Sequence, residues 1–200
     1  MNSQGSRIVR CFGILFAAAA TAVFAQSNPS STDRSSASAT DKNASSSKMK
    51  SGSDQAFVQE AGVGGLAEVE MGRLAVQKAK DDRVRQFGQQ MIDDHSKAND
   101  ALKQAASQEG LNVPSALDEK HKQTMSRLEK LSGAQFDAAY SKEMVKDHRE
   151  DVKLFEKEAS AGSSPVQKFA AETLPTLKNH LQMAEGLSSA GSSTGSAGSH

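Results

Sequence analysis

The chain has 200 residues, 24 Lys and Arg against 24 Asp and Glu, one Cys, no Trp and 36% apolar residues. A formal net charge of zero lacks the basic excess that a nucleic-acid surface needs. A lone cysteine cannot build a disulfide framework, and no block of like charge marks a tail for an anionic membrane.

Residues 1–25 read as a secretory signal. Arg7 and Arg10 give a basic start, and "CFGILFAAAATAV", Cys11 to Val23, is apolar but too short to span a bilayer. "VFA" then stands before Gln26 as a cleavage site. A retained anchor would need a longer apolar run, and Cys11 lies too early to be a lipoprotein cysteine. Cleavage removes the two arginines and leaves 22 basic residues (24 less 2) against 24 acidic, a net charge of −2. It also removes the only thiol. No later stretch is apolar enough to cross a membrane.

Residues 26–53 are Ser, Ala, Asn, Thr, Lys and Asp with almost nothing to bury, and read as a disordered linker. Residues 188–200, "SSAGSSTGSAGSH", are the same kind of material. The foldable part is 54–187, enough for one domain with a core.

Five helices follow in order. Asp54 is positioned to cap the first, which runs to Ala79 with Phe57, Ala61, Gly64, Glu68, Met71 and Ala75 on its seam. Asp81 or Asp82 caps the second, from Arg83 to Glu109, and Gly110 stops it. Its stripe is Phe87, Met91, His95, Ala98 and Leu102. A shorter helix spans Leu117 to Leu131, across one end or side of the rest. The fourth runs from Ala134 to Ala159 through Phe136, Tyr140, Met144, His148, Val152 and Phe155. The fifth runs from Pro165 to Leu187 with Phe169, Thr173, Leu177, Leu181 and Ala184 inward, and Pro175 predicts a kink or local unwinding over 171–175. With no period-two strand pattern, the expected fold is all-α: an antiparallel four-helix bundle with one extra short helix.

The informative feature is what interrupts the apolar lines. Glu68, His95, His148 and His180 each stand on or beside the buried seam of a different long helix, near mid-height. Buried polar groups need partners. Two readings follow. In the first, the carboxylate and imidazoles bond one another, with Tyr140 or Asp151 completing a network that fixes register. In the second, Glu68, His95, His148 and His180 are ligands of a divalent metal, zinc or iron, in a bundle core. Asp93 and Asp94, beside His95, read as a solvated face, and His121 as a half-exposed surface residue. The Met stripe (Met71, Met91, Met125, Met144, Met183) reads as core filler. No Ser-His-Asp set, phosphate-binding glycine loop or CxxC is present, and "GVGG" falls inside a helix.

Four phrases, "FVQEAGVGGLAEVEMGRLA", "FGQQMIDDHSKANDALKQAASQEG", "LSGAQFDAAYSKEMVKDHREDVKLFEKEA" and "FAAETLPTLKNHLQMAEGL", give residues 54–187 a resemblance to the bacterial exported family DUF4142. The resemblance implies a ferritin-like bundle in the envelope of a Gram-negative bacterium, periplasmic or associated with the outer membrane, with an envelope component as partner. It implies no agreed activity. The di-iron pattern of ferritin-like proteins needs Glu-x-x-His on two helices. Here Ile92, Val145 and Leu177 stand three residues before the histidines. The expectation is a non-enzymatic envelope bundle with a buried Glu/His network, with metal binding as the second reading.

Overall fold

The computed structural model describes the backbone of residues 40–193, with side-chain placement over 52–190. The signal-like residues 1–25 lie outside the described residues. Five helices are present: α1 (Thr40–Lys78), α2 (Asp82–Gln108), α3 (Glu119–Glu129), α4 (Gly133–Ala159) and α5 (Pro165–Ser193). Among the described residues there is no strand, and no helix is long and apolar enough to cross a membrane.

The four long helices form a ring in which α1 packs on α2 and α4, and α5 packs on α2 and α4. Shared neighbours set the directions. The C-terminal half of α1 and the N-terminal half of α2 meet in one apolar cluster with Phe136, Tyr140, Met144 and Ala184. The opposite ends meet in a second cluster around Phe57, Leu102, Phe155 and Phe169. Every adjacent pair is therefore antiparallel. Because α2 and α4 point the same way, residues 109–132 must return along the length of the bundle. α3 lies on that crossover, packed against α1 and α4, with Leu128 fully buried. One long crossover is the connectivity of ferritin-like bundles.

Local chemistry explains the boundaries. Asp81 is the N-cap of α2, its Oδ1 accepting from the Arg83 amide at 2.8 Å. Asp137 of α4 accepts from the amides of Lys80 and Asp81 at 3.0 and 2.9 Å and ties that turn to the neighbouring helix. Gly110, with φ of +67°, ends α2 where a side chain would be strained. Asp118 caps α3 through the His121 amide at 2.9 Å.

Three expectations need correction. Asp54 is not a cap: α1 begins at Thr40, inside the stretch read as linker, and Asp54 is buried within the helix. Adding a residue to an existing helix costs far less than starting one, and residues 40–53 contain no proline. α5 likewise continues past Leu187 to Ser193. Nor does Pro175 unwind α5, which is helical throughout. Pro175 and Ala171, the residue four before it, are exposed, so water can satisfy the carbonyl that proline leaves without a donor.

The α1–α2 crossing is unusually close. A methyl at Gly88 would stand 2.6 Å from the Ala75 Cβ and 2.9 Å from the Gly72 carbonyl oxygen. Gly88→Ala should therefore destabilise the protein by about 1–3 kcal/mol through overpacking, read as a lower urea midpoint at unchanged slope.

Candidate metal centre

The two apolar clusters do not touch at mid-height. Between them lies a polar layer made of Glu68 (α1), His95 (α2), His148 (α4) and His180 (α5), all buried, the last two completely. Each group follows from its helix's periodicity. Met71 is three residues after Glu68, Met91 four before His95, Met144 four before His148, and Ala184 four after His180, and all four belong to the same apolar cluster. One helical turn away from that cluster, the same faces bring the polar side chains together.

The three rings form a nearly equilateral set, with centroids 5.6 Å apart for His95–His148, 5.3 Å for His95–His180 and 5.4 Å for His148–His180. One nitrogen from each lies within 4.8 Å of the others. The outward nitrogens are fixed by oxygens. His148 Nδ1 is 3.0 Å from the Met144 carbonyl, which only accepts, so Nδ1 carries the proton. His180 Nε2 is 3.1 Å from Asp94 Oδ2. Asp94's carboxyl is held below its ordinary pKa, against the opposing effect of burial, by the His180 contact and Lys97; it is a carboxylate, and His180 Nε2 donates to it. His95 Nδ1 is 2.9 Å from Glu68 Oε2.

The tautomers of the inward nitrogens follow for neutral rings. His148 Nε2 and His180 Nδ1 are 3.4 Å apart. With their other nitrogens protonated, both present lone pairs, and lone pairs do not bond each other. His95 Nε2, beside them, has no hydrogen-bond partner. The rings are indeed neutral at ordinary pH. Burial pushes His95 and His180 down to about 4 and His148 well below its usual value, with the neighbouring imidazoles adding to the last two.

Glu68 takes a different place from the one its seam position suggested. It backs His95 rather than standing among the inward nitrogens. Its Oε1 accepts no hydrogen bond, because His148 Nδ1, 3.4 Å away, is committed to Met144. Burial first, and then Asp147, push Glu68 up to about 8. Asp151 interacts with Glu68 across α4 and α1 rather than with His148, and burial and Glu68 hold its pKa well above the carboxylate range. Tyr140 lies beneath the layer, stacked on Phe136 at 5.6 Å, and its buried hydroxyl bonds no member of the layer. His121 is bound to Asp118 at 2.6 Å, away from the triad.

Asp94 is the residue the sequence reading missed. Within α2 it points away from His95, which is why it reads as solvated. Across the bundle that direction faces α5, where it fixes His180. Its signal lay in the adjacency itself: a helix that places an imidazole inward places the preceding residue toward the next helix.

Fold and site together define a ferritin-like helical bundle whose core is cut by a histidine layer. The chain belongs to the family described as domain of unknown function DUF4142, whose model matches residues 38–187. No curated protein matches it. Among solved structures it is similar to a DUF305 protein from Streptomyces coelicolor, designated a secreted protein, with a TM-score of 0.60 and 15% identity over 70% of this chain and 92% of that one. That likeness is one of fold.

Proposed function

We propose that the protein is an exported metal-binding bundle that holds one divalent transition ion of the zinc type on His95 Nε2, His148 Nε2 and His180 Nδ1. The observation that carries this reading is the pair of imidazole lone pairs facing each other at 3.4 Å, with the third inward nitrogen unpartnered beside them. Two nitrogens on one tetrahedral zinc stand about 3.3 Å apart, given Zn–N lengths near 2.0–2.1 Å. A network without a cation leaves these acceptors opposed in a dry core, where unpaired polar atoms are costly. The outward bonds of all three rings to oxygen supply the outer support that ligating histidines normally have. Nitrogen ligands and the missing Glu-x-x-His pairs favour a single zinc-type ion over a di-iron centre.

When bound, such an ion would keep a fourth position and act there as a Lewis acid. The chain's own residues hold the imidazoles neutral, and Met144 and Asp94 fix the tautomers of His148 and His180. Export is supported by the pattern of residues 1–25 and by the secreted designation of the structural neighbour. On this reading, residues 1–25 are a secretory signal.

The test is elemental analysis of the untagged protein purified from the exported fraction. Wild type should carry close to one zinc per chain. His95→Ala and His148→Ala should lose it, and Tyr140→Phe should keep it. Folded wild type that takes up no transition ion at micromolar concentration would refute the reading.

A further inference from the structure

Beside the histidine layer, a cleft with room for about 40 Å³ opens under α3, between α1 and α4. Five carboxyl groups line it: Glu60, Glu68, Asp147, Glu150 and Asp151. Acidic residues on a helical surface are ordinarily a solvated face, and these alone would mean nothing. Two observations set this cleft apart.

The first is Glu68, 2% exposed, which lines the cleft and whose Oε1 accepts no hydrogen bond. Its other oxygen is engaged by His95. The remaining partner of that buried carboxyl is another carboxyl, Asp151, so the two face each other where a cation could replace their shared proton. The second is the disposition of the cations. Lys120 is 3.3 Å from Glu150, Lys146 is 2.9 Å from Glu143 and 3.2 Å from Asp147, and His121 is taken by Asp118. Among the described residues no lysine or arginine pairs with Asp151 or Glu68. The rim has thus neutralised itself, while the inner pair of carboxyls faces the cleft without a counter-charge. Gly64 forms the wall opposite. A methyl there would meet only Asp151 Oδ1, at 3.8 Å, so the absent side chain leaves open the space in front of that oxygen.

We infer that this cleft is a second cation site, in which Glu68 Oε1 and Asp151, with Asp147 at the mouth, bind a hard divalent ion such as manganese(II). Carboxylate oxygens select manganese, magnesium and calcium over the softer ions that imidazoles prefer. The inference rests on the metal-centre reading in one respect. Glu68 joins the two positions, one oxygen on the imidazole that orients the nitrogen site and the other on the cleft. The bundle would then hold two unlike cations side by side. The open mouth under α3 lets the second exchange with solvent.

The experiment uses the full-length untagged protein with zinc already bound, titrated with manganese(II) and followed by the loss of the free-ion electron paramagnetic resonance signal. Wild type should bind one manganese. Asp151→Asn should weaken that binding at least tenfold and leave the zinc content unchanged. Gly64→Ala should weaken it too, by filling the space beside Asp151, and it serves as the test if Asp151→Asn does not fold. Manganese uptake that is absent, or that neither variant changes, overturns the second site and leaves the histidine site standing. A protein that takes no zinc defeats the first site instead. The manganese titration on the zinc-free chain then decides the second by the same two variants.

Discussion

Zinc should raise the melting temperature of the chelator-treated protein by about 8–16 °C when the free ion stands a thousandfold above its dissociation constant, which corresponds to about 4 kcal/mol of native-state binding. The proposed ligands come from helices far apart in sequence, so the unfolded chain offers no comparable site and nearly all the binding energy should appear as stability. His148→Ala removes this increment. The substitution also leaves a hole in a fully buried position, so a lower melting temperature alone decides nothing. The informative quantity is the difference between loaded and chelated protein. Leu128→Ala, on α3 and equally buried, should cost about 2–5 kcal/mol by cavity formation yet keep the whole zinc increment. Differential scanning calorimetry of the three proteins, with and without chelator, checks this. An equal increment in wild type and His148→Ala would dismiss the imidazoles as ligands.

The chelated protein should show a peaked dependence of stability on pH, with its maximum near 6.5. On the acid side the imidazoles decide. His95 and His180 sit near 4 in the folded state against 6.5 when unfolded. As pH falls from 6.5 to 4 the unfolded chain gains protons that the native state refuses, and stability drops by roughly 3 kcal/mol per imidazole, partly offset by Glu68. On the alkaline side Glu68 decides. Its folded value near 8 against 4.5 means the native state holds a proton that the unfolded state has released. Stability therefore falls as pH rises from 6.5 to 8, by about 2 kcal/mol, and Asp151 acts in the same direction. Glu68→Gln should flatten the alkaline limb and, by removing the carboxyl's offset, steepen the acid limb. Urea titrations across pH 4 to 9 in the presence of chelator measure both limbs.

Much of this was legible in residue spacing. The interruptions of the apolar lines at Glu68, His95, His148 and His180 locate the layer, because a helix turns by a fixed angle and four mid-height positions on four seams must meet. Periodicity says which face a side chain takes, but not which of its atoms points where. It could not tell that Glu68 stands behind His95 while the imidazoles face one another. Asp94 was lost for a related reason: its partner His180 is 86 residues away, and only the ring order of the helices brings α5 to that side of α2. The early start of α1 went unseen because residues 40–53 have no apolar stripe to announce a helix. The unwinding expected at Pro175 does not occur, because the cost of a proline depends on whether the freed carbonyl faces water, which is a tertiary fact.

The crossover between α2 and α4 has a consequence for how the layer comes into being. The two most extensive helix interfaces are α1 with α2 and α4 with α5, each a hairpin continuous in sequence. The first hairpin brings Glu68 and His95, and the second brings His148 and His180. Neither half holds more than part of the donor set, so the centre exists only when the halves have docked. A cation there would act as a clasp between two modules, and its presence would report assembly rather than secondary structure.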